Sequence, residues 1–280
     1  FTYNLSYKKY MDLATQSTVE LAKNYGMGFQ AQLNSQIAEV EGLANGTNIQ
    51  NLVLENYNGV TLGNDSPYYT NVSELFSTAS DYTGNNVNYY LYDVNGYYIT
   101  SSDKTNTADW QEHMTIPVED ITETKILQCS SLNEIESIDI VSPIIIKSQI
   151  VGLIRANITS KYFGSFIPED GSAFILTSDG GYLFTSTGLT GQKELETQAF
   201  NCLKGADNTN DYGHLKASSF GNIYGFCKLS DSNWLYLIKQ QGTQYQQILT
   251  TLPITMSITL IIILLIAVWI SQILSAKYTE

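Results

Sequence analysis

The sequence has few of the residues that cross-link small domains or bind metal ions. Cysteine occurs three times, at Cys129, Cys202 and Cys227, so at most one intramolecular disulfide can form. The sequence is compatible with a disulfide between Cys202 and Cys227 and also with two free thiols. The two histidines, His113 and His214, have no cysteine or carboxylate at metal-ligand spacing. We therefore expect no disulfide framework, no metal site and no cofactor.

Positive charge is also scarce. The chain has 14 Lys and Arg residues against 27 Asp and Glu residues, which gives a net charge of -13. Nucleic acids and anionic membrane surfaces both attract clustered Lys and Arg, so this balance argues against either as a binding partner. No P-loop or G-x-S-x-G motif occurs, and we do not expect the chain itself to be an enzyme. The sequence does not exclude the carboxylate pair of a glycosidase, because two such acids can be far apart in the sequence and close only in the folded protein.

One long uncharged stretch is present near the C-terminus. Residues 254–274 run for 21 positions without a charge, and about 20 apolar residues suffice for a helix to cross a bilayer. Lys277 follows the stretch, whereas no Lys or Arg lies between Lys239 and its start, so we expect its C-terminal end in the cytoplasm. The alternative is a fully buried core helix of a soluble protein.

The N-terminal part of the chain carries helical periodicity. Apolar residues recur every three or four positions from Tyr3 to Ala44, and Thr18 occupies the single turn that has no apolar residue. This pattern predicts a helix over residues 1–45 that is roughly 60 Å long. Residues 26–31 formally match a dinucleotide fingerprint, but no strand precedes them, so we interpret them as part of the helix.

Two shorter helices are predicted next. The first covers residues 49–57. The second covers residues 72–82, with Asn71 as its N-cap and Glu74 three residues later at capping-box spacing.

The remainder of the chain repeats one strand pattern. Residues 91–101 (LYDVNGYYITS) align without gaps on residues 176–186 (LTSDGGYLFTS), and each segment predicts a hairpin. Two further hairpins are predicted, one pairing residues 142–147 with 149–158 and the other pairing residues 222–229 with 234–239. Two copies of one antiparallel sheet unit explain this pattern, with chance similarity among Tyr-rich strands as the alternative.

Each sheet unit carries an insert between its two hairpins. The first insert covers residues 102–138, and the second covers residues 187–211 with a predicted helix at 192–203. Loops over one face of a small sheet are natural pocket walls, because the sheet holds them in place while their sequences vary.

The predicted fold class is α+β, with a long N-terminal helix, two tandem PAS-like antiparallel sheet units and a C-terminal transmembrane helix. The predicted segments are an N-terminal helix (1–45), a membrane-distal unit (46–165), a membrane-proximal unit (166–241), a juxtamembrane helix (242–253), the transmembrane helix (254–274) and the start of a cytoplasmic linker (275–280). We expect a second span before Phe1 and an output domain after Glu280.

This arrangement resembles the double Cache (dCache) sensor domains of bacterial transmembrane receptors. Its most specific parts are VSPIIIKSQIVGLIRANI at residues 141–158 and LTSDGGYLF at residues 176–184. The resemblance implies a homodimer in the cell membrane whose extracytoplasmic distal unit binds a small organic ligand. It also implies signalling through the membrane helix to a diguanylate cyclase, histidine kinase or methyl-accepting domain.

The amino-acid receptors of that family bind a ligand carboxylate with an R-x-W-Y stretch and the ammonium group with an Asp after the last distal strand. Trp110 matches the Trp of this motif. Ala108 and Gln111 replace its Arg and Tyr, and Asn157 occupies the Asp position. Because a neutral Asn forms weaker bonds to an ammonium group than a carboxylate does, this pattern departs from ordinary alpha-amino acid recognition.

Arg155 offers a substitute cation. By strand alternation it shares a face with Asn157, so we expect it to bind the carboxylate or phosphate of an anionic ligand beside Trp110. The alternative places Arg155 at the rim of the sheet, paired with an acid of the N-terminal helix. The candidate ligand-binding residues are Trp110, Arg155, Asn157, Tyr98 and Tyr90.

Two acids are interpreted differently. Asp93 and Asp139 fall near predicted turns and strand ends, so we interpret them as turn or strand-edge residues and not as ligand contacts.

A membrane-anchored surface binding or adhesion module is the second functional hypothesis. The Tyr-rich and Asn-rich composition supports it. A tether, however, needs neither a helix of 40 residues nor a helix running from sheet to membrane, whereas a transducer needs both.

Overall fold

The computed structural model of the protein describes eleven stretches of the chain, which are residues 2–59, 66–105, 107–113, 116–131, 134–168, 171–178, 180–184, 192–204, 211–215, 222–241 and 254–271.

The first helix, α1 (Thr2–Ala44), has the predicted length and packs against strands of both sheet units. Its buried stripe includes Phe29 and Leu33, which are fully inaccessible to solvent. Thr18 lies in the same stripe and is also fully buried. Its hydroxyl is 2.7 Å from the main-chain oxygen of Ala14 and 2.7 Å from Oε1 of Gln240, so a polar group is tolerated because it is hydrogen-bonded.

Glycines allow α1 to approach the second sheet closely. A Cβ atom on Gly26 would lie 2.9 Å from the Cβ of Cys227, and a Cβ on Gly225 would lie 2.5 Å from the main-chain oxygen of Thr18. Both distances are too short for ordinary packing, so the helix and the sheet need glycine at these positions. Gly26 therefore serves helix packing, as the interpretation of residues 26–31 as helix requires.

Helices α2 (Thr47–Tyr57) and α3 (Pro67–Tyr82) follow α1. The predicted start of α3 was wrong, because the helix begins more than one turn before Val72 and Asn71 lies inside it. Ser66 is the N-cap, and its hydroxyl oxygen accepts a hydrogen bond from the Tyr69 amide at 3.3 Å. Pro67 occupies the first helical position, where its fixed φ favours helix initiation and its missing amide proton has no consequence.

The first sheet consists of five antiparallel strands in the order β2-β1-β5-β4-β3. These strands are β1 (Val87–Asp93), β2 (Tyr98–Ser101), β3 (Lys125–Ser131), β4 (Glu134–Ile146) and β5 (Gln149–Thr159). Both predicted hairpins of this unit are present, and Leu91 pairs with Thr100 in the first of them. Lys147 and Ser148 in the second hairpin turn have φ of 50° and 65°, as two-residue primed turns require.

The second sheet repeats this order as β7-β6-β10-β9-β8. Its strands are β6 (Ala173–Leu176), β7 (Tyr182–Leu183), β8 (Tyr212–Leu215), β9 (Asn222–Leu229) and β10 (Trp234–Gln241). Among the described residues, one parallel pairing, between Ile135 near the start of β4 and Leu183 of the edge strand β7, joins the two sheets. The two predicted sheet units are thus present and directly connected.

Part of each predicted insert is strand. In the first insert, β3 and the beginning of β4 occupy residues that we expected to cover the sheet face. In the second, the helix α5 (Lys193–Leu203) matches the prediction, and the unpredicted strand β8 follows it. Both missed strands lack a clear apolar alternation, and they form by adding to the edges of sheets that other strands have built.

The first sheet separates two apolar layers. Its back face packs on the helices through residues such as Tyr89 and Ile154. Its front face is covered by residues of the first insert, which include the short helix α4 (Trp110–His113) and a 3-10 turn (Val118–Asp120). In the second sheet the corresponding front face is covered by α5.

The last described helix is α6 (Ile254–Ser271), which is long and apolar enough to cross a membrane. Its residues are exposed throughout, in contrast to the core helix considered as the alternative. The predicted juxtamembrane helix at 242–253, the last three residues of the predicted span and the linker at 275–280 lie outside the described residues. Cys202 and Cys227 are both buried, and no disulfide joins them.

Candidate functional site

The front face of the first sheet contains a buried ion pair. Arg155 lies on β5, the central strand, directly opposite Tyr90 of β1 and Val141 of β4. Arg155 is 6% exposed and Asp139 of β4 is fully buried. Within the part of the chain that the structure describes, these two are the only buried side chains that carry a charge. Arg155 is also the single arginine in the sequence.

Asp139 contacts both polar side chains of the central strand. Its Oδ2 atom is 2.8 Å from Nε of Arg155, although the N–H direction misses the oxygen, so the contact is an ion pair and not an aligned hydrogen bond. Its Oδ1 atom accepts a hydrogen bond from Nδ2 of Asn157 at 2.8 Å. The Asn157 amide also donates to the hydroxyl of Ser137 at 3.0 Å. Asp139 therefore orients Arg155 and Asn157 together.

Tyrosines of β1 surround the guanidinium group. The Cζ atom of Arg155 lies 5.0 Å from the ring centre of Tyr90, within the range of a cation–π interaction. Nη1 of Arg155 is 3.5 Å from the hydroxyl oxygen of Tyr92, which is a long hydrogen bond. The Tyr90 hydroxyl points the other way, to a carboxylate oxygen of Asp103 at 3.4 Å.

The surroundings keep Arg155 charged and the tyrosines neutral. Burial is the largest influence on Arg155 and would lower its pKa, but the Asp139 carboxylate and Tyr92 together more than offset this effect, and the pKa stays above its ordinary value. Burial raises the pKa of Tyr90 and of Tyr92, although the guanidinium acts in the opposite direction on both. At neutral pH the site therefore presents one cation beside two phenol groups.

Trp110 closes the front of the site. Its ring is fully buried and meets the Tyr92 ring edge to face with centroids 5.7 Å apart. The indole Nε1 donates to the main-chain oxygen of Ile116 at 2.6 Å. The Trp110 amide donates to the main-chain oxygen of Gly96 at 2.8 Å, which attaches α4 to the turn between β1 and β2. Trp110 therefore offers its ring and not its N–H group to the site.

Tyr98 lies at the margin of the same cluster and is half-buried. Its hydroxyl forms a hydrogen bond of 2.9 Å with that of Ser101. Its amide donates to a carboxylate oxygen of Asp109 at 2.8 Å, which fixes the start of β2 beneath the covering segment.

The structure brings the predicted residues together and adds two that were not predicted, Asp139 and Tyr92. Trp110, Tyr90 and Tyr98 belong to the apolar cluster on the front face, where β5 also directs Arg155 and Asn157. The alternative for Arg155 was wrong, because the residue lies on the central strand, opposite the helices, and pairs with a strand acid.

The interpretation of Asp139 as a turn or strand-edge acid was also wrong, because β4 begins five residues before it and β3 and β5 flank it on both sides. Tyr92 was missed as well. Asp139 is two positions from Val141, and Tyr92 is two positions from Tyr90, so strand alternation places each pair on one face. Only the pairing of β4 and β1 with β5 shows that Asp139 and Tyr92 contact Arg155. Asp93, in contrast, is a turn residue as expected, since its Oδ1 accepts the amides of Asn95 and Tyr97.

Among the described residues of the second sheet, apolar side chains occupy the front face at the place of this site. Where β5 presents Arg155 and Asn157, the central strand β10 directs Leu235 and Leu237 against α5. Among the described residues, no group of three or more His, Cys, Asp or Glu side chains is placed to hold a metal ion.

Comparison with known proteins identifies the fold. No family model matches the sequence, and no curated protein matches it. The structure is similar to the ligand-binding domain of the Pseudomonas aeruginosa PAO1 amino acid chemoreceptor PctC in complex with GABA. The TM-score is 0.54 at 16% identity, over 81% of this chain and 99% of that one.

Two further solved structures are similar over most of their length. The ligand-binding domain of Mlp24 with asparagine matches with a TM-score of 0.53 at 13% identity, over 88% of this chain and 99% of that one. The sensor domain of the V. cholerae histidine kinase DctB matches with a TM-score of 0.50 at 12% identity, over 86% of this chain and 99% of that one. The chain therefore has the double Cache fold, as the resemblance implied.

Proposed function

We propose that the chain is the extracytoplasmic sensing part of a bacterial transmembrane receptor and that a small organic ligand binds at Arg155. The observation that carries this proposal is the buried pair of Arg155 and Asp139 on the front face of the first sheet. An ion pair of this kind adds little stability compared with apolar residues of the same size. Buried charges in an otherwise apolar layer are therefore more typical of a binding site than of a structural core.

The chemistry of the site favours a ligand with a carboxylate or phosphate group. Arg155 supplies a charged, planar set of donors, of which Nε contacts Asp139 and Nη1 makes a long contact with the Tyr92 hydroxyl. Tyr90 and Trp110 supply aromatic walls for the rest of the ligand. The ligands named for PctC and Mlp24, GABA and asparagine, both carry a carboxylate, which agrees with this chemistry.

Access to Arg155 requires movement of the segment that covers it. Arg155 is 6% exposed and Trp110 is fully buried in this structure. We propose that α4 and the turn after it open to admit the ligand and close over it. Closure of this kind strengthens the ion pair between ligand and Arg155, because it excludes water from the site.

Strand β1 offers a physical connection from the site to α1. Tyr90 faces Arg155, and its neighbour Tyr89 faces the helices. The Tyr89 hydroxyl donates to a carboxylate oxygen of Glu39 at 2.8 Å and accepts from Nε2 of Gln36 at 2.9 Å. A ligand that displaces Tyr90 would act on α1 through this strand, provided that it binds two arrangements of the strand with different affinity.

The proposal is tested by ligand-induced thermal stabilisation of the full chain in detergent micelles. We expect at least one compound among small carboxylates, amino acids, phosphorylated sugars and purine nucleotides to raise the melting temperature in a saturable way. Arg155→Lys should remove most of this shift, because a lysine keeps the positive charge but loses the bidentate donor set. Lys161→Ala, which removes an exposed cation, serves as the control and should retain the full shift.

The result that would contradict the proposal is a ligand that stabilises Arg155→Lys as strongly as the unmodified chain. The absence of any stabilising small molecule would instead favour the adhesion hypothesis, which requires no small ligand.

A further inference from the structure

A second concave site lies at the turn end of the first sheet. Its cavity is about 720 Å³ in volume, within the range of small-molecule sites in proteins. Four separate segments form its described walls, namely the end of α2, the turn between β1 and β2, the 3-10 turn at 118–120, and the β4–β5 turn with the start of β5. Arg155 is not among the described lining residues, so this cavity is distinct from the site above.

The walls combine apolar, aromatic and acidic groups. Val94 and Ile150 supply aliphatic surface, and Tyr57 adds an aromatic ring on a side chain that is 63% exposed. Asp93 and Glu119 supply two carboxylates. The described lining contains no Lys or Arg, so the cavity is negative and partly apolar.

The two carboxylates differ in the number of hydrogen bonds that they already accept. Oδ1 of Asp93 accepts the Asn95 and Tyr97 amides at 2.8 and 2.9 Å, whereas its Oδ2 has only a long contact of 3.4 Å with Nδ2 of Asn56. In the stretches covered by the structure, no hydrogen bond or ion pair engages the carboxylate of Glu119. Both groups therefore have acceptor capacity on the cavity side.

We propose that this cavity is a binding site for a short aliphatic amine. The ammonium group would contact the carboxylates of Asp93 and Glu119 beside the Tyr57 ring, which combines charge-assisted hydrogen bonds with a cation–π interaction. The methylene groups would lie against Val94 and Ile150. This site stands independently of the function proposed for Arg155.

The cavity adjoins the segment that covers Arg155. Nε2 of Gln111 in α4 donates to the main-chain oxygen of Asn95, a residue that also lines the cavity. Glu119 lies in the 3-10 turn of the same segment. An amine held between the β1–β2 turn and Glu119 therefore connects the covering segment to the neighbouring hairpin.

The experiment titrates the full chain in detergent micelles with 1,4-diaminobutane and, as a neutral molecule of the same length, 1,4-butanediol. Binding is measured by isothermal titration calorimetry. We expect saturable binding of the diamine and none of the diol. Glu119→Gln should weaken diamine binding about threefold, as removal of one partly exposed charge contact does. Tyr57→Leu should weaken it by a similar factor, and the double variant Asp93→Asn with Glu119→Gln about tenfold.

Glu123→Gln is the matched control, because it removes the same charge from an exposed residue of the same segment that is not a described lining residue. It should leave diamine binding unchanged, whereas an equal loss in this control would show attraction to the overall charge of -13 and overturn the site. Diamine binding that is unaffected by Glu119→Gln would also overturn it, as would equally strong binding of the diol or the lack of saturable binding. Asn at position 93 still accepts the two turn amides, so the double variant retains the turn.

Discussion

Removal of either partner of the buried ion pair should destabilise the protein strongly. In Arg155→Ala the fully buried Asp139 carboxylate loses the guanidinium group that lies 2.8 Å from it. Leaving one charge of a buried pair without its partner costs about 3–5 kcal/mol of unfolding free energy. The loss of the cation–π contact with Tyr90 adds up to about 1–2 kcal/mol. We therefore expect a total loss of about 3–7 kcal/mol.

The double variant separates the charge effect from the packing effect. Arg155→Met together with Asp139→Leu removes both charges and keeps approximately the same volume, so it should recover most of the loss and come within about 1–2 kcal/mol of the unmodified chain. Asn157 then loses one acceptor but keeps the Ser137 hydroxyl. With Arg155→Met and Asp139→Leu as the matching single variants, the double-mutant cycle should give a coupling energy of several kcal/mol, which is far above that of exposed pairs.

The assay is urea unfolding of the full chain in a mild detergent, followed by far-UV circular dichroism. Lys161→Ala, an exposed cation, should change the unfolding free energy by less than about 0.5 kcal/mol. A loss of less than about 1 kcal/mol in Arg155→Ala would refute the reasoning, because it would mean that Asp139 is hydrated or finds another cation. The size of the expected loss is also the reason that ligand binding is better tested with Arg155→Lys, which keeps the pair charged.

Three further predictions concern pH, packing and capping. Burial and a neighbouring carboxylate raise the pKa of Tyr89 above its ordinary value, so its contribution to stability is complete below about pH 9 and is lost as the pH rises toward the raised pKa. The unfolding free energy should therefore fall less steeply between pH 10 and 11.5 in Tyr89→Phe than in the unmodified chain, by about 1.1 kcal/mol per pH unit on average. Gly225→Ala should destabilise the chain by about 1–3 kcal/mol in urea unfolding, since its Cβ would collide with the main chain of α1, whereas Gly42→Ala on the open side of α1 should be neutral or stabilising by up to about 1 kcal/mol. Ser66→Ala should lower the unfolding free energy by about 1 kcal/mol through loss of the α3 cap, and Asn71→Ala should not lower it. If the helix instead began at residue 72, Asn71→Ala would be the destabilising variant and Ser66→Ala would not.

Much of the fold could be predicted because its signals are local. The three-and-four spacing of α1 and the turns of the four hairpins depend on residues that are close in the sequence, and the structure confirms these elements. The start of α3 was misplaced because Asn71 has the right chemistry for a cap, while Ser66 and Pro67 have it one turn earlier. Local rules therefore identified the helix but could not choose between two acceptable starts.

Edge strands were harder to predict. β8 has four residues, and β3 has a mixed polar and apolar sequence. Their stability comes from the backbone hydrogen bonds and neighbours that an existing sheet supplies, and not from their own residues. For the same reason the single pairing between Ile135 and Leu183, which joins the two sheets, has no signature in either segment.

The sequence by itself determined that Arg155 and Asn157 share a face, because alternation along one strand is a property of the extended backbone. It also determined that α1 is a long helix and that residues 254–271 form an apolar one. Only the tertiary structure decided which acid meets Arg155, because Asp139 reaches it through the register of β4 on β5, across 16 residues of chain. That register depends on a hairpin turn and on which faces of both strands are buried, and these are decided together when the sheet packs.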